Sequence, residues 1–135
     1  MSKSAHSAIP SEHQEQVALA RWLDEQGCFW CHVPNERRDL AERQRLSAEG
    51  VKSGVPDVLI MSGPRGLVLY SGVRGYAIEL KRLDPEAKPT ARQEVWLCAL
   101  RALGWHAACC HGCADAVAWL KAEWGYPIDN PTRGA

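Results

Sequence analysis

The sequence predicts an α/β fold, with helices packed on a mixed central sheet. Short apolar runs bounded by turn residues alternate with stretches of helical periodicity. The order reads α-β-(loop)-β-β-α-β-α. Composition is that of an ordinary globular chain, with 135 residues, 46% hydrophobic and 24% charged. That length argues for one domain with a real core. Disordered, collagen-like and coiled-coil chains are excluded. The longest apolar runs, such as Ala114–Leu120, are far too short to span a membrane. The first ten residues hold one Lys and no apolar h-region, so no secretory signal is expected, and the expected compartment is the cytoplasm. Lys plus Arg equals Asp plus Glu, 16 against 16. A net charge of zero gives no global pull towards nucleic acid or membrane.

Residues 1–10 read as a flexible tail, 11–125 as the domain and 126–135 as a second tail. Ser11 is a good N-cap for a helix running to about Gln26, where Leu19, Trp22, Leu23 and Gln26 repeat at helical spacing and Gly27 supplies the stop. Cys28–Val33 is a short apolar run ended by Pro34 and reads as a strand. Asn35–Gly50 is dense in charge and reads as a partly ordered loop with a short helix near Leu40–Glu49. Gly54-Val55-Pro56 is turn chemistry, and Asp57–Met61 reads as a strand. Leu67–Tyr70 is expected to be a minor strand or hairpin arm, and Tyr76–Leu80 a firm strand. Thr90 caps a helix whose apolar face is predicted at Trp96, Ala99, Leu100 and Leu103, closed by Gly104. Trp105–Cys110 reads as a strand and Ala114–Trp124 as the last helix. Trp22, Trp96, Trp119 and Trp124 read first as core or helix-packing residues.

Three charged residues carry the chemistry. Asp57 opens a strand directly after Pro56, while Glu79 and Lys81 lie two apart on the next firm strand and so share one face. If the strands pair, the three converge. Two close carboxylates repel, and one keeps its proton unless a cation sits between them. Hard divalent ions take such oxygen ligands, and a nearby Lys can hold a water or a phosphate oxygen. Taken singly, Glu-x-Lys is usually a solvated salt bridge and Pro-Asp a turn. The ordered set is more specific, because Gln93 follows in the first turn of the next helix. Glu12 and Gln16 share a face of the first helix. Helix-dipole complementarity alone would explain Glu12 or Glu15, and spacing does not tell which of the two points at the sheet.

These stretches resemble the VRR-NUC family within the PD-(D/E)XK nuclease superfamily. The matching segments are Ser11-Glu12-His13-Gln14-Glu15-Gln16, Val33-Pro34-Asn35, 48–57 ending in Gly54-Val55-Pro56-Asp57, Ile78-Glu79-Leu80-Lys81-Arg82, Gln93 with Trp96, and Cys110-His111-Gly112. They run from about Ser11 to Trp119. The resemblance implies a restriction-endonuclease-like αβββαβ core and a divalent-metal-dependent DNA endonuclease. It implies that Asp57 and Glu79 bind Mg²⁺ or Mn²⁺ with the Leu80 carbonyl, and that Glu12, which keeps the family spacing, is an outer-sphere or second-metal ligand. Lys81 would position the attacking water, and Gln93 would hold a phosphate or Lys81. Stand-alone members resemble Holliday-junction resolvases and are typically homodimers, so the expected partners are branched DNA and a second copy, with no small-molecule cofactor.

DNA contacts are expected from Asn35, Arg37, Arg38 and Lys52, with Arg43 and Arg45 in the same cluster, and from Arg82, Lys88 and Arg92 after the second strand. Any one of these also reads as solvated surface charge. Cys28-x-x-Cys31 and Cys110-x-x-Cys113 raise a structural zinc site, but the pairs lie 78 residues apart and residues three apart on a strand face opposite ways. Structural zinc is therefore not expected, and the six cysteines read as buried thiols. His32 and His111 read as local hydrogen-bonders, with His111-Gly112 shaping a turn. The competing functional classes are a nicking or flap nuclease and a non-catalytic DNA-binding module on the same fold.

Overall fold

A computed structural model describes residues 9–34, 39–70 and 72–125. Both tails of the sequence reading lie almost wholly outside these residues. Eight elements and one short 3₁₀ turn follow in order: α1 (Glu12–Gln26), β1 (Trp30–His32), α2 (Leu40–Ala48), β2 (Val58–Ile60), the turn Pro64–Gly66, β3 (Tyr76–Lys81), α3 (Ala91–Ala102), β4 (His106–His111) and α4 (Cys113–Glu123). The four strands form one sheet in the order β1-β2-β3-β4. β1/β2 and β2/β3 are antiparallel, and β3/β4 is parallel across the α3 crossover.

Local chemistry explains the helix ends. Ser11 and Gln14 close a reciprocal capping box at the start of α1, and Thr90 and Gln93 close another at the start of α3. Gly27 ends α1 in the left-handed region at φ 73°. The sheet then separates two apolar layers. Tyr76, Ile78 and Leu80 of β3 face Leu19 and Leu23 of α1 and Ala116 and Leu120 of α4. Ala77 of β3 and Ala107 of β4 face Leu97 of α3. Three of the four tryptophans expected to pack do so: Trp22 stacks on Trp124 with centroids 5.6 Å apart, and Trp119 meets the edge of Tyr76.

Three expectations are corrected. Leu67–Tyr70 forms no strand and joins neither edge of the four-stranded sheet. The inward face of α3 is Gln93, Leu97 and Leu100 rather than Trp96, Ala99, Leu100 and Leu103; Leu103 is exposed. The hydrogen bonds of Gln93 to β3 fix the phase of that helix. The thiols are also less uniform than expected. Cys110 is buried and Cys28, Cys109 and Cys113 are half-buried, but Cys31 and Cys98 are exposed.

Candidate active site

Side-chain alternation puts Glu79 and Lys81 on the α3 face of β3, in line with Ala77. The antiparallel register Val58↔Ile78 brings Asp57, the residue before β2, opposite Glu79. Asp57 is fixed from both sides. Its carbonyl accepts from Val33 N–H at 2.7 Å and from His32 Nδ1 at 2.9 Å, so that ring nitrogen carries the proton. Its carboxylate Oδ2 accepts from Leu80 N–H at 2.7 Å. In a strand the N–H and C=O of one residue point to the same edge, so the Leu80 carbonyl is turned towards Asp57 as well.

Glu79 is 1% exposed. Its Oε2 accepts from Gln93 Nε2 at 3.1 Å and lies 3.6 Å from Lys81 Nζ. Its Oε1 is buried without a hydrogen-bond partner. Burial, and then the neighbouring Asp57 carboxylate, push the Glu79 carboxyl up to about 9, against the opposing pull of Lys81. The pair therefore shares space that a proton or a cation must fill. Gln93 ties the group together: its Oε1 accepts from Lys81 Nζ at 3.1 Å and from Thr90 N–H at 2.8 Å. The capping box of α3 thus fixes a side chain that the strand needs. The pattern Thr90-x-x-Gln93 is visible in the sequence and signals that role.

Other candidates fall as follows. Glu12 is exposed and makes no hydrogen bond or ion pair among the described residues. Glu15 is the inward carboxylate of α1, 7% exposed, and its Oε1 accepts from Cys113 N–H at 2.8 Å, capping α4. Neither hydrogen-bonds Asp57 or Glu79. Glu15 lies on the Leu19–Leu23 stripe above the opposite sheet face, and Glu12 lies one turn earlier, at the end of the helix. Lys52, Arg82, Lys88 and Arg92 are all exposed. Arg92 donates to Ser53 Oγ at 3.1 Å. Arg45 is paired with Glu42 and Glu49 on α2. Asn35, Arg37 and Arg38 lie outside the described residues. Among the described residues no group of three or more His, Cys, Asp or Glu side chains converges as a metal site, and no helix is long and apolar enough to cross a membrane.

A contact that spacing did not reveal supports Asp57 from below. Gly54 has φ +89°, and a Cβ there would lie 2.8 Å from the carbonyl carbon and oxygen of Arg92. The turn that delivers Asp57 is seated on the backbone of the first turn of α3. Only a residue without a side chain permits that approach.

No family model matches the chain, and no curated protein matches it by sequence. A solved structure described as a "VRR_NUC domain protein" matches at TM-score 0.69 and 21% identity, covering 87% of this chain and 90% of that one. The chain shares the fold of this VRR_NUC domain protein. The architecture is the mixed sheet with helices on both faces that was expected from the motifs. In this chain the Asp57 turn, β3 and the start of α3 lie side by side.

Proposed function

We propose that this chain is a VRR-NUC nuclease that hydrolyses phosphodiester bonds of branched DNA with Mg²⁺ or Mn²⁺, working as a homodimer. The observation that carries the reading is the buried Asp57–Glu79 pair with one orphaned oxygen, held beside Lys81 by Gln93. The fit to a hard cation follows from the donors: two carboxylates and a carbonyl turned the same way, all oxygen, around an unpartnered Glu79 Oε1. Asp57, Glu79 and the Leu80 carbonyl would hold the ion, with Glu12 as an outer-sphere ligand. When bound, the ion supplies charge neutralisation at the phosphate and activation of water.

The protein's own contribution is positioning. Lys81 has three N–H donors; one meets Gln93 Oε1 and one faces Glu79 Oε2. The third is left for the attacking water or a phosphate oxygen. The Lys81 side chain is only 14% exposed and is held by these two contacts, so the ammonium is positioned for a phosphate in advance. Arg82, Lys88 and Arg92, exposed on the same side of the sequence, would steer the backbone by charge, as would Lys52.

The test is cleavage of labelled four-way junction, flap, single-stranded and duplex DNA with Mg²⁺, Mn²⁺ or EDTA, with Lys81→Ala in parallel. Symmetric metal-dependent junction cuts, absent in the variant, are expected. Cuts confined to flaps or single strands would keep the site and change the substrate. Binding without cleavage in either metal would leave a DNA-binding module.

A further inference from the structure

The β3/β4 register sets His111 directly beside Lys81, and alternation turns both to the α3 face. Beyond this pair the chain leaves β3 through a tightly folded loop. Asp84 N–H donates to the Arg82 carbonyl at 2.8 Å, Ala87 N–H to the Asp84 carbonyl at 2.9 Å, and Glu86 N–H to Asp84 Oδ1 at 2.9 Å. His111 Nε2 donates to the Ala87 carbonyl at 2.7 Å and pins the loop to β4. Between the ring and the loop lies a groove of about 340 Å³, lined by Leu83, Asp84, Pro85 and His111. It is shallow and open to solvent, a surface against which a flat group can lie and not a cavity that encloses one.

We propose that this groove is a subsite for one unpaired nucleobase carrying an exocyclic amine, next to the phosphate that Lys81 faces. The proposal rests on the nuclease reading. Leu83 and Pro85 offer apolar surface and the His111 imidazole an aromatic ring against which a base can stack. The Asp84 carboxylate on the lining repels a phosphate and accepts from an amine, as acidic side chains do with cytosine N4. Asp84 Oδ1 is occupied by Glu86 N–H, which leaves Oδ2 for the base. A base stacked within a duplex cannot enter, so the groove favours strands that are single or splayed.

The experiment uses flap, single-stranded and junction DNAs in Mn²⁺, each with one base removed at successive positions around the cut, and scores both cleavage and binding. Removal at one position is expected to lower kcat/KM about tenfold, in keeping with the worth of one stacking contact. That loss should largely vanish in His111→Ala. Asp84→Asn should raise the relative cleavage of thymine at the same position. A flat profile in the wild-type protein, with cleavage intact, overturns the subsite and leaves the nuclease reading standing. A position effect that persists unchanged in both variants also overturns it. If the protein neither cuts nor binds any of these DNAs, the nuclease reading falls and the subsite with it.

Discussion

Asp57 Oδ2 accepts a 2.7 Å hydrogen bond from the backbone N–H of Leu80, the residue between Glu79 and Lys81. One carboxylate therefore both closes the end of the β2/β3 ladder and faces the buried acid of β3. Structural and chemical roles meet in a single side chain, and substitutions can separate them.

Asp57→Asn keeps an acceptor for Leu80 N–H and removes the charge that opposes Glu79. It is expected to be at least as stable as the wild type without metal, yet inactive. Asp57→Ala leaves that buried N–H unpaired, which costs about 1–3 kcal/mol. Millimolar Mn²⁺ should raise the wild-type Tm and leave both variants unmoved; a site held at 100 times its Kd gains about 2.7 kcal/mol. Thermal melts with and without Mn²⁺ check all three. Equal metal shifts in every protein would place the ion elsewhere.

Glu79 makes metal-free stability depend on pH. Its folded carboxyl is raised from 4.5 to about 9. Between those values the folded state holds a proton that the unfolded chain has released, so stability falls as pH rises. The stabilisation is complete below the unfolded value and is lost on passing through about 9. Asp57, Lys81, Gln93 and Cys109 are the groups that face it. In EDTA, the wild-type Tm should fall from pH 5 to pH 9 relative to Glu79→Gln, which mimics the protonated acid. Parallel curves would refute this account of the pair.

Two glycines isolate the seat of the Asp57 turn. Gly50 and Gly54 both have positive φ, 98° and 89°, but only Gly54 is pressed against Arg92; a Cβ on Gly50 meets nothing within 4 Å. Gly50→Ala should cost only the left-handed strain, about 1–2 kcal/mol. Gly54→Ala adds a collision with backbone, so it should cost more and lower nuclease activity by displacing Asp57. Urea unfolding and cleavage rates of the two variants give the comparison.

The two acids of α1 should behave oppositely. Glu15→Ala removes the cap on Cys113 N–H from a nearly buried position and should destabilise by about 1–2 kcal/mol. Glu12→Ala should leave stability within about 0.5 kcal/mol, as surface changes do, and reduce metal-dependent cleavage. Urea midpoints and rates measured on both variants decide the assignment. A stable, fully active Glu12→Ala would remove Glu12 from the site.

The helix ends, four of the strands and the chemical set are legible in the sequence, whereas the strand expected at Leu67–Tyr70 is not formed. Ser11, Gly27 and Thr90 mark helix ends through hydrogen bonds that are local in the chain, so spacing suffices to find them. The shared face of Glu79 and Lys81 follows from the two-residue period of a strand. Tertiary structure alone decided the rest. In α3 an apolar stripe through Ala99 and Leu103 competes with Gln93 for the inward face, and the bonds of Gln93 to Glu79 and Lys81 settle the phase. Glu15 turns inward because it precedes Leu19 and Leu23 by four and eight residues, a period the sequence carries, but its partner, the N–H that opens α4, lies 98 residues away along the chain and is brought there by the fold. The seat of Gly54 on Arg92 and the tether of His111 to Ala87 join segments with no common period. Local patterns report what a residue's own neighbours permit, and contacts across the fold are set by how the layers pack.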